Sequence, residues 1–455
     1  MLTKYFLIVD YNLTRIDDVR TMRDHLRHRH GLATILIRPN PRPIDHEICD
    51  VVIDAYPRAA DFVDRACGEL AKFRTSIQGG IVFSDDAVQS GAALLERLGL
   101  PVDDALLAFA ALSKLAYRSI EQSHDELFRA QGIRVPEYLH VENITELASF
   151  LKRHPEGIVV KPACEGNNRG VVVLHPGDDL RLALQTIDKY VSDGVICEEY
   201  ITDHREFSFD GIGALWFLTE KISATGRYPV EMGQIVPAML SPIETHTLRR
   251  AGNLANLLVG QREGPFHNEI RLSDDGTQAT VIEPNRRPAG MRIWQLARAV
   301  YRINLFCLWI DHVLGHPLPA HLPTPKGRAA TIMLGVPHDG LLRPISRSDV
   351  RAILEQTVTP SLRSSSLIPD DAQLTWIDSA PLGCEIDRIV RADPQDNGDF
   401  IALACLHIDR SDLDFRAIVA AVQATWKRAI TPFLSSPRIE ATASSQPSLP
   451  RKISA

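Results

Sequence analysis

The sequence predicts an α/β chain that opens with a parallel, doubly wound sheet and continues as α+β. Three observations carry this. From Tyr5 to Leu98, short apolar runs alternate with helical periods, the pattern of strand–helix–strand units. Phe207–Phe217 instead alternates residue by residue, and Ala279–Glu283 follows an Asp-Asp-Gly turn at 274–276, so both read as antiparallel strands. A cluster of prolines at 317, 319, 323 and 325 then precedes a new apolar strand, Ala329–Leu334.

In chain order, Tyr5–Val9 is a buried strand ending at Asp10, which reads as a turn residue. Ile16–His30 is a helix and Ala33–Ile37 a second strand. Further strands fit Val51–Ile53 and Gly80–Ser84, and a helix fits Ala87–Leu98. No GxGxxG follows Val9, so a dinucleotide fingerprint is absent. Ala105–Ala130 has a helical period that Gly132–Pro136 stops. Next come a strand at Gly157–Lys161, a turn-rich loop at Pro162–Gly170, a strand at Val171–Leu174, a helix at Leu180–Val191 and a strand at Val195–Tyr200. Trp294–Leu314 reads as one helical pattern, and Phe415–Ile430 as a further helix. The end, Ser435–Ala455, is rich in Ser, Pro and Ala and is expected to be disordered.

A chain of 455 residues exceeds one compact core and suggests two to four domains. Its 45% hydrophobic and 24% charged residues are ordinary for a globular protein. A net charge of −7 gives no basic footprint, which argues against nucleic acid or an anionic membrane as partner. Seven cysteines without a CxxC pair suit neither a zinc cluster nor a disulfide scaffold, and fit a reducing compartment. The N-terminus lacks a signal-peptide core, and the apolar stretch Ile303–Ile310 is too short to span a bilayer. A cytoplasmic location is therefore expected.

Four segments place polar residues where they can do chemistry. Lys161 closes a strand and runs into Cys164–Gly170, so an ammonium and backbone N–H groups can surround a phosphate. Taken alone, an ordinary hairpin with a solvated lysine fits as well. Cys197-Glu198-Glu199-Tyr200-Ile201, followed by Arg205-Glu206, can offer acceptors to an adenine amino group and ribose hydroxyls, or can be a charged turn. His267-Asn268-Glu269 and Glu283-Pro284-Asn285-Arg286-Arg287 lie on neighbouring antiparallel strands. They offer two carboxylates and an amide oxygen as hard ligands for Mg²⁺. Arg287 can point where negative charge develops on a transferred group, while Arg286 is expected on the opposite face. Finally, Ser113-Lys114 sits in a helical stretch, where Lys114 by itself reads as a surface lysine.

In this order the segments resemble the ATP-grasp superfamily, and within it the carboxylate–amine ligases that include the L-amino acid ligases (dipeptide synthetases). The resemblance runs over roughly residues 1–315 and rests on Ser113-Lys114, Val160-Lys161-Pro162, Glu198-Glu199-Tyr200-Ile201 and Glu283-Pro284-Asn285-Arg286-Arg287. Pro288-Ala289-Gly290, and Glu231-Met232-Gly233-Gln234 followed by Pro237-Ala238, are similar to the amino-acid ligase branch. Two departures stand out: Ser113 replaces the usual Asp, and the loop Cys164–Gly170 holds only two glycines.

The resemblance implies an ATP-grasp fold with a Rossmann-like pre-ATP-grasp domain at 1–105 and an ATP-grasp domain at 106–316, whose lid covers about 135–203. A C-terminal α+β domain would follow at 317–435, with a tail at 436–455. It implies ATP and Mg²⁺ as cofactors, with Mn²⁺ as a substitute. Lys114 and Lys161 would contact ATP phosphates, Glu198, Glu199, Tyr200 and Ile201 would border adenine, and Glu206 would bind ribose. Glu269, Glu283 and Asn285 would hold the metal and Arg287 would steady the acyl phosphate, with Gln234 and Met291 in the specificity region. The implied reaction joins a small-molecule carboxylate to an amine and releases ADP and phosphate; a homodimer stays open. The competing readings are an ATP-grasp carboxylase of the biotin- or purine-pathway kind and a non-catalytic ATP-binding sensor.

Overall fold

Four apolar runs flanked by helices form the first sheet of the protein, a computed structural model that describes residues 3–166, 168–188, 193–202 and 205–435. β1 (Tyr5–Val9), β2 (Ala33–Arg38), β3 (Val51–Asp54) and β4 (Ile77–Val82) are all parallel, in the order β3-β2-β1-β4. Such a sheet is covered on both faces, so its strands are apolar throughout. In β1, Phe6 and Ile8 enter one core with Trp294 and Trp309, while Leu7 and Val9 enter another with Phe62 and Leu94. The strand order reverses between β1 and β4, and in open α/β sheets ligands bind beyond the carboxyl ends of the strands at such a switch point. Asp10, Ser84 and Asp85 stand there.

β5 (Tyr138–His140), β6 (Ile158–Pro162), β7 (Val172–Leu174) and β8 (Val195–Glu199) form a small antiparallel sheet in the order β5-β8-β6-β7. The helices Ile144–Arg153 and Leu180–Ile187 seal one face of it through Leu147, Phe150 and Ile187. The largest sheet is built from β9 (Arg205–Ile212), β10 (Leu215–Ser223), β11 (Glu231–Val236), β12 (Pro265–Leu272), β13 (Ala279–Glu283) and β14 (Arg328–Leu334). β15 (Gly340–Leu342), β16 (Leu374–Pro381), β17 (Arg388–Val390), β18 (Ala402–Ile408) and β19 (Leu434–Ser435) complete the strands. Eight of these run antiparallel in the order β13-β12-β9-β10-β11-β14-β18-β16, while β17-β15-β19 stand apart. Strands on both sides of the proline-rich segment thus share one sheet, through the pairing of β11 with β14. The helix Pro242–Leu258 lies over β9 at Gly252, where a Cβ atom would stand 2.3 Å from the Phe209 ring.

The long helical periods are interrupted. Ala105–Ala130 divides into a 3₁₀ turn and two helices, Lys114–Ser123 and Asp125–Ala130. Trp294–Leu314 divides into Ile293–Tyr301 and Leu305–Val313, because Arg302 turns left-handed (φ 58°) and Asn304 caps the second helix. Phe415–Ile430 is a single helix, as its period predicts. No helix among the described residues is long and apolar enough to cross a membrane. The tail at 436–455 lies outside the described residues.

Candidate active site

Antiparallel pairing of β12 with β13 sets Glu269 directly opposite Glu283. Residues opposed in this way share a face of the sheet. Each carboxylate is about a quarter exposed and spends one oxygen on a lysine. Glu269 Oε1 lies 2.7 Å from Lys221 Nζ, and Glu283 Oε1 lies 3.3 Å from Lys114 Nζ. Neither Oε2 has an ion-pair partner among the described residues. Asn285 follows two residues later and is buried; its N–H donates to Asn268 Oδ1 at 3.3 Å, and its carbonyl accepts from the His267 N–H at 3.0 Å. A pair of half-free carboxylates beside an amide is an all-oxygen donor set, and it fits Mg²⁺.

Behind these oxygens runs a line of alternating charge. Asp210 is fully buried, accepts from the hydroxyls of Ser208 (2.6 Å) and Thr219 (2.7 Å), and bonds His267 Nδ1 at 2.6 Å. His267 Nε2 lies 3.4 Å from Glu269 Oε1, and Lys221 links Glu269 to Glu231 at 2.9 Å. Burial alone would neutralise His267, but Asp210 and then Glu269 outweigh it and raise its pKa to about 9. Burial also works against the Glu269 carboxylate, yet Lys221 and His267 hold it well below the usual range. The same balance keeps Lys221 charged: Glu231, Glu269 and Glu206 overcome its burial.

The N-terminus of helix Lys114–Ser123 faces the loop after β6. Ser113 caps this helix by accepting from the Ala116 N–H, so the cap that Asp would supply is retained. The Lys114 N–H donates to the Ala163 carbonyl (2.9 Å) and its Nζ to the Glu165 carbonyl (2.6 Å). Lys161 Nζ lies 2.6 Å from Glu198 Oε2, and Arg118 Nε donates to Glu198 Oε1 at 2.7 Å. Arg118 also reaches Glu121 (2.5 Å) and the Ile282 carbonyl (3.3 Å), which joins the small sheet to β13. Burial pushes the Glu198 carboxyl up, but Arg118 and Lys161 prevail and hold it at about 2.

The neighbouring residues of β8 are also engaged. Glu199 accepts from Arg134 (2.7 Å) and from the Glu137 N–H (3.0 Å). Tyr200 lies beside His175 and Arg271, and the buried Ile201 offers its carbonyl to Arg271 at 2.6 Å. Glu206 is held by Arg271 and by the Ser223 hydroxyl (2.5 Å). Glu206 opposes Lys221, which opposes Gln234, which opposes Thr331. This polar row crosses four strands on one face of the large sheet, and the Oε1 atom of buried Gln234 has no hydrogen-bond partner.

Arg287 Nε lies 2.5 Å from Asp85 Oδ1, which ties the segment after β13 to the loop after β4. Burial works against its charge, but Asp85, Glu283 and Glu269 more than restore it. Arg15 fixes the same loop by donating to the carbonyls of Pro288 (3.4 Å) and Ala289 (2.9 Å) while stacking 4.8 Å over Phe83. Met291 and Arg292 then adopt consecutive left-handed conformations (φ 49° and 60°), which strains a non-glycine backbone. Arg286 corrects the strand-alternation reading. β13 ends at Glu283, and Arg286 is buried, donating to the carbonyls of Asp104 and Val259.

Comparison with known proteins bears on this arrangement. No family model and no curated protein matches the sequence. Solved structures do: an L-amino acid ligase from Bacillus licheniformis superposes with a TM-score of 0.68 at 16% identity, covering 93% of this chain and 98% of that one. N5-carboxyaminoimidazole synthetase from Staphylococcus aureus in complex with ADP gives 0.62 at 14% identity, and phosphoribosylglycinamide synthetase from Anaerococcus prevotii gives 0.60 at 14%. Both comparisons cover 93% of this chain and 98% of the other. The fold is that of the ATP-grasp ligases.

Within this ATP-grasp fold, Lys114, Glu283, Glu269 and Arg287 fall into one connected network, and Lys161 joins it through Glu198 and Arg118. Glu199 is the last residue of β8, and Tyr200 follows it. The sequence reading did not single out Lys221, Asp210 or Arg118. Each stands in a mixed stretch (Thr219-Glu220-Lys221, Ser208-Phe209-Asp210 and Tyr117-Arg118-Ser119), so the sequence marks neither its burial nor its partner.

Proposed function

We propose that the protein is an ATP-dependent ligase that activates a carboxylate as an acyl phosphate and joins it to an amine, releasing ADP and phosphate. The observation that carries the reading is a connected network of two lysines, two opposed carboxylates and one arginine, which Arg287 ties to Asp85 in the loop after β4. A pure nucleotide sensor has no use for an arginine fixed beside the metal-type carboxylates. In this reading a carboxylate oxygen of the acid attacks the γ-phosphorus and ADP departs. The amine nitrogen then attacks the acyl carbon, phosphate departs, and the amine gives up a proton.

Lys114 and Lys161 meet the phosphates of ATP, Glu198 to Ile201 border the adenine and Glu206 lies toward the ribose. Glu269, Glu283 and Asn285 would hold Mg²⁺, which when bound supplies charge neutralisation for the triphosphate. Arg287 donates to the oxygens on which negative charge grows, in a fork that an ammonium does not reproduce. The unpaired Oε1 of buried Gln234 and the strained turn at Met291 lie toward the acid and amine, and amino acids are the proposed substrates.

The test is ADP and phosphate release with pairs of amino acids, followed by product mass. The reading expects no turnover with either partner alone, and AMP with pyrophosphate would overturn it. The N5-carboxyaminoimidazole synthetase match keeps a second reading, in which bicarbonate is the activated acid. ADP release that depends on bicarbonate and not on an amino-acid carboxylate would select it.

A further inference from the structure

The helix after β1 ends in ligand-type side chains that the proposed reaction does not use. Ile16–His25 continues into a π-wound turn, Leu26–His30, and stops at Gly31 in the left-handed conformation (φ 64°). His25 and His30 are five residues apart. In a regular α-helix that spacing points two side chains about 140° apart, whereas a π turn, hydrogen-bonded from i to i+5, takes more residues per turn and brings them toward one side. The imidazole centroids are accordingly 5.3 Å apart. Both Nε2 atoms reach the same oxygen of Asp311, at 2.7 and 2.6 Å, from helix Leu305–Val313 on the other side of the contact. One ligand atom from each residue lies within 4.8 Å of the others, and all three side chains are largely buried. The ring of His316 stands 5.6 Å from that of His30.

We propose that His25, His30 and Asp311 bind one divalent transition-metal ion of the zinc type, with water or His316 in the fourth position. Two imidazoles and a carboxylate suit zinc, and they disfavour Mg²⁺, which takes oxygen ligands. The role is structural. Arg15, which touches the loop at Pro288, precedes this helix, and His25 lies ten residues further on, about 15 Å along the axis. The ion clips the first-sheet layer to helix Leu305–Val313, joining residues 281 positions apart in the chain.

The experiment uses the full chain, stripped with chelator and titrated with zinc chloride in the absence of Mg²⁺ and ATP. One equivalent is expected to bind and to raise the melting temperature. His30→Gln and Asp311→Asn should each weaken binding beyond the about 10–100-fold typical of losing an orienting partner, while Glu283→Gln leaves it unchanged. Cobalt(II) added to the stripped wild type should show the visible bands of a four-coordinate nitrogen–oxygen site, so the test survives a variant that fails to fold. Absence of those bands, zinc binding that survives both substitutions, or binding lost with Glu283→Gln would overturn the proposal. None of these readouts depends on ligase activity.

Discussion

Glu198→Gln removes one negative charge from between two buried cations. Its carboxylate is 2.7 Å from Arg118 Nε and 2.6 Å from Lys161 Nζ, and its side chain is only 6% exposed. Holding its pKa at about 2 instead of 4.5 corresponds to about 3 kcal/mol of stabilisation at neutral pH, taking 1.36 kcal/mol per pKa unit. This contribution is complete above pH 4.5 and is lost as the pH falls toward 2. In the variant, Arg118 keeps Glu121, but Lys161 keeps nothing to oppose its burial.

The variant can relieve the strain by releasing the Lys161 proton. From an ordinary pKa of 10.5 that costs about 5 kcal/mol at pH 7 and about 2 kcal/mol at pH 9. The loss of stability at pH 7 should therefore be about 3–5 kcal/mol, the range for breaking a buried ion pair, and should shrink by about half at pH 9. Urea denaturation followed by circular dichroism at both pH values measures it, and the contribution of His267 cancels between wild type and variant. An equal loss at pH 7 and pH 9, or a loss below about 1 kcal/mol, would refute the reasoning.

Three further outcomes are expected. Arg287→Lys should lower kcat by about 10²–10³ with little change in ATP affinity measured by direct binding, whereas Arg286→Lys should lower the melting temperature, because a differently shaped ammonium must replace the single Nη1 that donates to both the Asp104 and Val259 carbonyls. Glu283→Gln should keep the fold and lose most ADP formation at ordinary Mg²⁺; normal turnover would make Glu283 structural. His267→Gln should cost about 3 kcal/mol near pH 6, because a pKa raised from 6.5 to about 9 gives stability that is complete below pH 6.5 and lost as the pH rises through 9. Melts from pH 6 to 10 should show the wild type and this variant converging, and a constant gap would count against a charged His267.

Local patterns in the sequence carried much of the fold. The strand Tyr5–Val9 and the helix Phe415–Ile430 lie where period puts them, whereas Phe207–Phe217, read as one alternating strand, is broken by the turn at 213–214 that joins β9 to β10. Apolar period alone does not show where a helix stops. Ala105–Ala130 keeps its period through Ser113, yet the Lys114 N–H leaves for the Ala163 carbonyl, a partner 49 positions away. Trp294–Leu314 breaks at Arg302 for a backbone reason that no propensity reveals. In the candidate site, the residue types were legible but their partners were not. Strand alternation puts Arg286 and Arg287 on opposite faces, but β13 already ends at Glu283, and it is the turn beyond it that sends Arg286 to the Val259 carbonyl and Arg287 to Asp85.

The partners also bear on how the proposed site would work. Each cation assigned to a phosphate already has a carboxylate: Lys114 has Glu283 and Lys161 has Glu198. The two pairs differ. Glu198 is shared with Arg118 deep in the packing, so it can orient Lys161 but has no other partner to take. Glu283 is about a quarter exposed, and it binds Lys114 only loosely, at 3.3 Å. On the proposed reading, Glu283 turns toward a divalent cation, and Lys114 is then released to a phosphate. Nucleotide and cation would thus strengthen each other's binding through this exchange, and linkage requires the effect to be equal in both directions.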